Sequence, residues 1–188
     1  MTTAGVLLAA GAGTRFAGSE HKLLAAIEGR SVVSRSLDAL CGAGLDAVVV
    51  VTGAVDLSEV LAEAGGVIAV IANERWETGI ASSVHCAARW AWDAGHEAVV
   101  VGLADQPFAT SAAWRAVAAS EGRIAVATYG GRRGNPVRLA REVWPLLPHD
   151  GDEGARMLIR RFPEIVVPVA CEGLPDDIDT VEDLRRWS

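Results

Sequence analysis

Three glycines and two cations lie close together near the start of the chain, in Gly11-Ala12-Gly13-Thr14-Arg15 followed by Gly18 and Lys22. Glycine tolerates backbone angles closed to other residues and lets the main chain approach a ligand closely. Such a turn can therefore direct several N–H groups onto a polyanion. Of the 17 basic residues, sixteen are arginine and one, Lys22, is lysine. An ammonium is a compact point charge, whereas a guanidinium is a flat fork. A chain that otherwise uses arginine would keep a lysine where a point charge is wanted, although arginine bias in coding would leave the same pattern. The chemistry implied is the holding and neutralising of phosphates.

Other residues extend this set. Asp105, in Ala104-Asp105-Gln106-Pro107, directly follows an apolar run and is a candidate carboxylate for Mg²⁺, which takes one or two carboxylates plus phosphates and water. A turn aspartate would read the same way. Asn73 carries an amide that can both donate to and accept from a base edge. Ser82 and Ser83, in the first turn of a predicted helix, could meet an anion. Trp76 could stack on a flat ring or simply anchor its loop. Arg132 and Arg133, beside glycines, could meet a terminal phosphate or form a solvated hairpin tip. Neither a Gly-x-Ser-x-Gly elbow nor another nucleophilic triad is evident.

Familiar phosphate motifs do not fit. In the Walker pattern a lysine follows glycine and precedes Ser or Thr, but Lys22 precedes Leu23. The dinucleotide pattern fails because Phe16 stands where the third glycine belongs. The ribose-binding acid is also missing, because Val51 is followed by Thr52 and Gly53.

The elements that must position these residues alternate. Apolar runs at Val6–Ala10, Ala47–Val51, Val67–Ile71, Ala98–Leu103, Ile124–Tyr129 and Ile165–Val169 read as buried strands. Helices are predicted over Ser31–Leu40, Leu57–Ala64, Gly79–Ala94, Ser111–Ser120 (capped by Thr110 or Ser111), Ala140–Leu147, Asp152–Arg161 and Val181–Trp187. Alternating strands and helices imply right-handed crossovers and a mostly parallel sheet covered on both faces. The expectation is an α/β fold: one three-layer αβα domain over 1–188 with a Rossmann-like sheet and an antiparallel edge near Tyr129–Leu139. Ligands of such sheets sit beyond the carboxyl ends of the strands. Gly11–Lys22, Asn73–Gly79 and Asp105–Pro107 all fall there.

The 188 residues, 51% of them hydrophobic, suit a globular domain with a sizeable core. A net charge of −7 argues against nucleic acid and membrane surfaces as partners. Cys41, Cys86 and Cys171 are odd in number and form no CxxC pair, which fits a reducing compartment. The first residues lack the basic stretch of a signal peptide, and no run approaches the ~18 apolar residues of a membrane span. A cytoplasmic location is expected.

Six segments, in order, resemble the nucleotidyltransferases of the molybdenum-cofactor group, the molybdopterin cytidylyl- and guanylyltransferases. They are Leu8-Ala9-Ala10-Gly11-Ala12-Gly13-Thr14-Arg15 with Lys22, Asn73–Ser83, Asp105-Gln106-Pro107, Gly131–Pro136, Gly151–Arg156 and Asp177-Ile178-Asp179-Thr180. Two departures are visible: Phe16–His21 is longer than the family's run, and Asn135 stands where histidine is common.

The resemblance implies Mg²⁺-dependent transfer of a nucleotide to molybdopterin with release of pyrophosphate. Lys22, Arg15 and Asp105 would be catalytic, and Asp105 and Asp179 would hold the metal. Leu8, Ala9, Ala10, Gly11, Gly13, Lys22, Asn73, Gly79 and Ser82 would surround the nucleotide, and Trp76, Arg133, Asn135 and Asp152 the acceptor. Alanine in the third place of Leu-Ala-Ala-Gly goes with CTP in that group, and Leu-Ala-Gly-Gly with GTP. A molybdenum hydroxylase would receive the finished cofactor. Competing readings are a GTP-dependent enzyme, a different phosphorylated acceptor, an NAD(P)H oxidoreductase on the same scaffold, and a non-catalytic cofactor chaperone.

Overall fold

A computed structural model describes residues 2–18 and 20–187. Strand β1 (Thr3–Ala9) is buried along its whole length, because strands lie on both sides of it and helices cover both faces. Its side chains alternate: Ala4, Val6 and Leu8 enter one core, and Leu7 and Ala9 the other. The first core is closed by α3 (Ile80–Asp93) and α5 (Ala155–Arg161). The second is closed by α1 (Val32–Cys41), α2 (Ser58–Glu63) and α4 (Ser111–Ala118), with Leu184 and Trp187 from α6 (Val181–Arg186) and its end. The fold is a mostly parallel, layered α/β arrangement. No helix among the described residues is long and apolar enough to cross a membrane.

Strands β4 (Ala47–Thr52) and β5 (Ile68–Ala72) extend the sheet on one side of β1. On the other side lie β6 (Ala98–Leu103), β8 (Arg132–Ala140), β7 (Ile124–Tyr129) and β9 (Val166–Ala170). The antiparallel segment expected at an edge is β8, and it lies inside the sheet, between β6 and β7. Gly130 and Gly131 (φ +55° and +85°) reverse the chain in the tight turn that only such residues adopt easily, so β8 folds back along β7 and pairs with β6 as well. The inner stretch of β8, from Pro136 to Leu139, is buried, while Arg132 and Arg133 are exposed. Running against its neighbours, β8 brings its beginning, not its end, to the carboxyl rim.

Three other expectations need correction. Arg141–Leu146, expected as an α-helix, is a 3₁₀ turn, because Pro145 has no N–H to donate back to Arg141. Helix α5 starts at Ala155 rather than Asp152, since Gly151 and Gly154 take positive φ just before it. A short hairpin, β2 (Ala26–Ile27) with β3 (Arg30–Ser31), was not foreseen. Its turn residues Glu28 and Gly29 both have positive φ, and two-residue strands leave too little alternation to read. At α4 the Thr110 side chain accepts from the Ala113 N–H as its cap.

Candidate active site

The first strand stops at Ala9, and the following loop is tied to its surroundings. The Ala10 carbonyl accepts from the Ala54 N–H at 3.1 Å, and the Gly13 carbonyl from the Phe16 N–H at 2.9 Å. Ala10 therefore does not offer its carbonyl freely to a base. Gly53 permits this closure, because a Cβ there would lie 2.6 Å from the Ala10 oxygen. Gly11 borders open space, and Gly13 has φ +62°. Ser19, within the lengthened Phe16–His21 run, lies outside the described residues.

His21 holds the two ends of this loop together, a role the sequence did not announce. Its Nδ1 accepts from the Leu23 N–H at 3.2 Å, which leaves Nε2 to donate to the Gly11 carbonyl at 3.1 Å. Burial, opposed by that carbonyl, lowers its pKa below the ordinary 6.5. The unfolded chain therefore takes up a proton first as pH falls, so the contribution of His21 is present above about 6.5 and lost below. Thermal unfolding of wild type and His21→Gln across pH should show the wild-type advantage greatest near neutrality and shrinking toward pH 5. A constant difference would contradict the assignment.

Beyond His21, Lys22 turns inward. Its side chain is 11% exposed, and its Nζ donates to Asp105 Oδ2 at 2.6 Å and to Asp179 Oδ1 at 2.8 Å. Burial acts against the charged ammonium, but the two carboxylates outweigh it and raise the Lys22 pKa. Asp179 Oδ2 lies 3.0 Å from an Arg15 nitrogen. Thus four residues separated by up to 164 positions meet at one rim. The helix that follows Asp179 does not use it as a cap, because Thr180 and Asp183 form a reciprocal capping box instead.

Asp105 Oδ1 is buried without a hydrogen-bond partner. An acceptor-only oxygen left bare beside a second carboxylate fits a hard cation that takes oxygen ligands. Among the described residues no three acidic, histidine or cysteine side chains converge as a complete metal cage, so other ligands would come from phosphates and water. Burial, reinforced by Asp105, raises the pKa of a third carboxyl, Asp177. The Gln106 amide donates to it and accepts from Asn135 Nδ2 at 3.1 Å. The Asn135 carbonyl in turn accepts from the Tyr129 hydroxyl at 2.7 Å.

A cavity of about 390 Å³ opens over this cluster, lined by Leu8, Ala9, Gly11, Gly13, Arg15 and Lys22 with Asp105 and Asp179 opposite. A second cavity of about 390 Å³ adjoins it, lined by Ala10, Gly11, Trp76, Gly79 and Asp152 among others. Asn135 lines a smaller, mainly apolar space of about 170 Å³, and Asp152 borders all three. Other predicted residues are placed differently. Asn73 is buried, and its Nδ2 donates to Ser82 Oγ (2.8 Å) and Ser83 Oγ (2.9 Å), while its oxygen accepts from the Arg75 N–H. Ser82 Oγ donates to the Gly79 or Arg75 carbonyl. Asn73 and Ser82 therefore brace the wall beneath the cavities rather than face them. Arg133 stands exposed on the β7–β8 hairpin, outside the cavity linings.

Parallel strands that end beneath a cavity of about 390 Å³ lined by Arg15, Lys22, Asp105 and Asp179 are the frame of a domain that handles nucleoside triphosphates. Residues 5–166 match the MobA-like NTP transferase domain, and the chain belongs to that family. It is 39% identical over 111 residues to the bifunctional protein GlmU of Agrobacterium fabrum, an alignment covering 57% of this chain. That alignment takes in only 24% of the curated relative, so the chain spans about a quarter of that protein's length. Rv0371c of Mycobacterium tuberculosis superimposes with a TM-score of 0.80 at 27% identity, over 98% of this chain and 96% of that one. Its manganese complex superimposes at 0.77 and 26%, over 100% and 98%. A nucleotidyl transferase of Methanothermobacter thermautotroptrophicus shares the fold, with a TM-score of 0.83, 22% identity and coverage of 98% and 95%.

Proposed function

We propose that the chain transfers CMP from CTP to a phosphate of molybdopterin, with release of pyrophosphate and dependence on Mg²⁺. The observation that carries the transferase reading is the convergence of Lys22, Asp105 and Asp179 over the glycine-lined cavity. An acceptor phosphate oxygen bonds to the α-phosphorus, and the bond from that phosphorus to the β-bridging oxygen breaks. Because the acceptor supplies the nucleophile, the protein's task is positioning and charge neutralisation. Lys22 would serve the α-phosphate and Arg15 the departing pyrophosphate, a division supported by their place in the same cavity lining. Asp105 and Asp179 would hold Mg²⁺, which when bound offsets charge on the phosphates.

Leu8, Ala9, Ala10, Gly11, Gly13 and Gly79 form the nucleotide's surroundings, supported from behind by Asn73 and Ser82. Trp76, Asp152 and Asn135 line the spaces left for the acceptor, with Arg133 approaching from the hairpin. The Leu-Ala-Ala-Gly sequence favours CTP over GTP, and a molybdenum hydroxylase would be the recipient. The manganese complex of Rv0371c supports a divalent cation in this family.

Pyrophosphate release, measured over CTP, GTP, ATP and UTP with and without molybdopterin, tests the reading. Release should require Mg²⁺ and molybdopterin and be fastest with CTP. At ~100 times its dissociation constant CTP with Mg²⁺ should also stabilise the fold by about 2.7 kcal/mol. Release with GTP alone would reverse the base assignment, and NADH binding in place of any nucleotide triphosphate would overturn the class.

A further inference from the structure

The cluster around Lys22 is already ion-paired in the protein alone. Its ammonium sits between one oxygen of Asp105 and one of Asp179, at 2.6 and 2.8 Å, and Arg15 takes the remaining oxygen of Asp179. Two cations thus balance two carboxylates. We propose that Lys22 occupies the position of the divalent cation until a metal–triphosphate complex arrives, and then passes to the phosphates. The inference rests on the proposed reading of Asp105 and Asp179 as metal ligands.

Electrostatics supplies the direction. A bare divalent ion entering between Asp105 and Asp179 must displace an ammonium whose hydrogen bonds among the described residues go to those two carboxylates, leaving that charge beside the ion in a half-buried site. A bare triphosphate meets Asp105, Asp152 and Asp179 around the same space. Only the two together give each charge a partner, with the ion on the carboxylates and Lys22 on the phosphate. Lys22 therefore couples the two binding events and disfavours either alone. It acts against metal affinity in the empty site while serving transfer in the full one.

Mn²⁺ binding to nucleotide-free protein, read from the free-ion EPR signal, tests this without any turnover. Lys22→Met should bind Mn²⁺ about tenfold more tightly than wild type, or more, and adding Asp105→Asn should abolish the gain. Lys22→Gln, which keeps hydrogen-bonding capacity toward both carboxylates, replaces Lys22→Met if the latter does not fold. Equal or weaker Mn²⁺ binding by the neutral variant overturns the proposal.

Wild type supplies an independent measurement, because ¹⁵Nζ-lysine labels a single side chain. Its ammonium signal should stay in place with millimolar Mg²⁺ alone and move when Mg²⁺ arrives with non-hydrolysable α,β-methylene-CTP. Equal movement with Mg²⁺ alone also overturns it. Tighter Mn²⁺ binding by the variant, with no pyrophosphate released from any nucleotide, would uphold the coupling and sink the transferase reading. Active wild type with no gain in the variant would do the reverse.

Discussion

Lys22→Ala should lower the rate of nucleotide transfer by roughly 10²–10³, the usual effect of deleting one charge-stabilising donor in a water-poor site. Asp105→Ala should lower it at least as far. The lysine variant removes the cation that holds Asp105 and Asp179 together, so it should also lose stability, by about 1–2 kcal/mol for a pair that is only partly buried. Circular dichroism should still report the full fold, since Lys22 closes a rim and carries none of the sheet. Lys22→Arg should not restore transfer, because a flat fork cannot occupy the point between two carboxylate oxygens. Single-turnover transfer with quantified pyrophosphate decides the matter. Near wild-type rates in either alanine variant would remove the catalytic assignment.

Gly79→Ala should be among the most damaging single substitutions away from the charged cluster. Gly79 has φ +104° and ψ 171°, a conformation essentially reserved for glycine. A Cβ there would lie 2.4 Å from the Gly151 carbonyl oxygen, 2.5 Å from its carbon and 2.7 Å from Asp152 Oδ1. The first two are backbone atoms, fixed by the Ala81 N–H on the Gly151 carbonyl (2.9 Å) and the Gly151 N–H on the Thr78 carbonyl (2.7 Å). Backbone strain and overpacking, at about 1–3 kcal/mol each, together give a loss of roughly 3 kcal/mol. For a chain of this size that lowers Tm by roughly 10 °C. The 150–154 loop must move aside, and Asp152 with it, and since Asp152 borders all three cavities the KM of both substrates should rise. Gly151→Ala is the control: its φ is +98° but nothing lies within 4 Å of its Cβ, so only strain of about 1 kcal/mol applies. Equal Tm values for the two variants would contradict the close approach described for Gly79.

The strands were legible because burial on both faces demands continuous apolar runs, and Val48–Val51 and Val99–Val101 have no other use. The rim was legible because Gly11 and Asp105 come at the ends of such runs, and Gly13 and Lys22 lie in the loop that Gly11 opens. For Asn73 residue type alone does not decide: an amide able to read a base edge is equally able to bind two serine hydroxyls, and its Nδ2 here does the second. Strand β8 reads as a loop because its first half is polar and its buried inner half carries Pro136 and Arg138. His21 went unnoticed because a histidine that ties a loop through its own backbone neighbours leaves no spacing pattern. The pairing of Lys22 with Asp179, across 157 positions, is a product of topology alone.

The direction of β8 separates two halves of the molecule's chemistry. Gly11, Lys22 and Asp105 lie on loops that leave β1 and β6, which on the proposed reading take the nucleotide, whereas Asn135 comes to the rim on a returning hairpin whose tip, Gly130-Gly131, borders open space. Insertions or exchanges at that tip can reshape what the second substrate meets while the triphosphate cradle stays as it is.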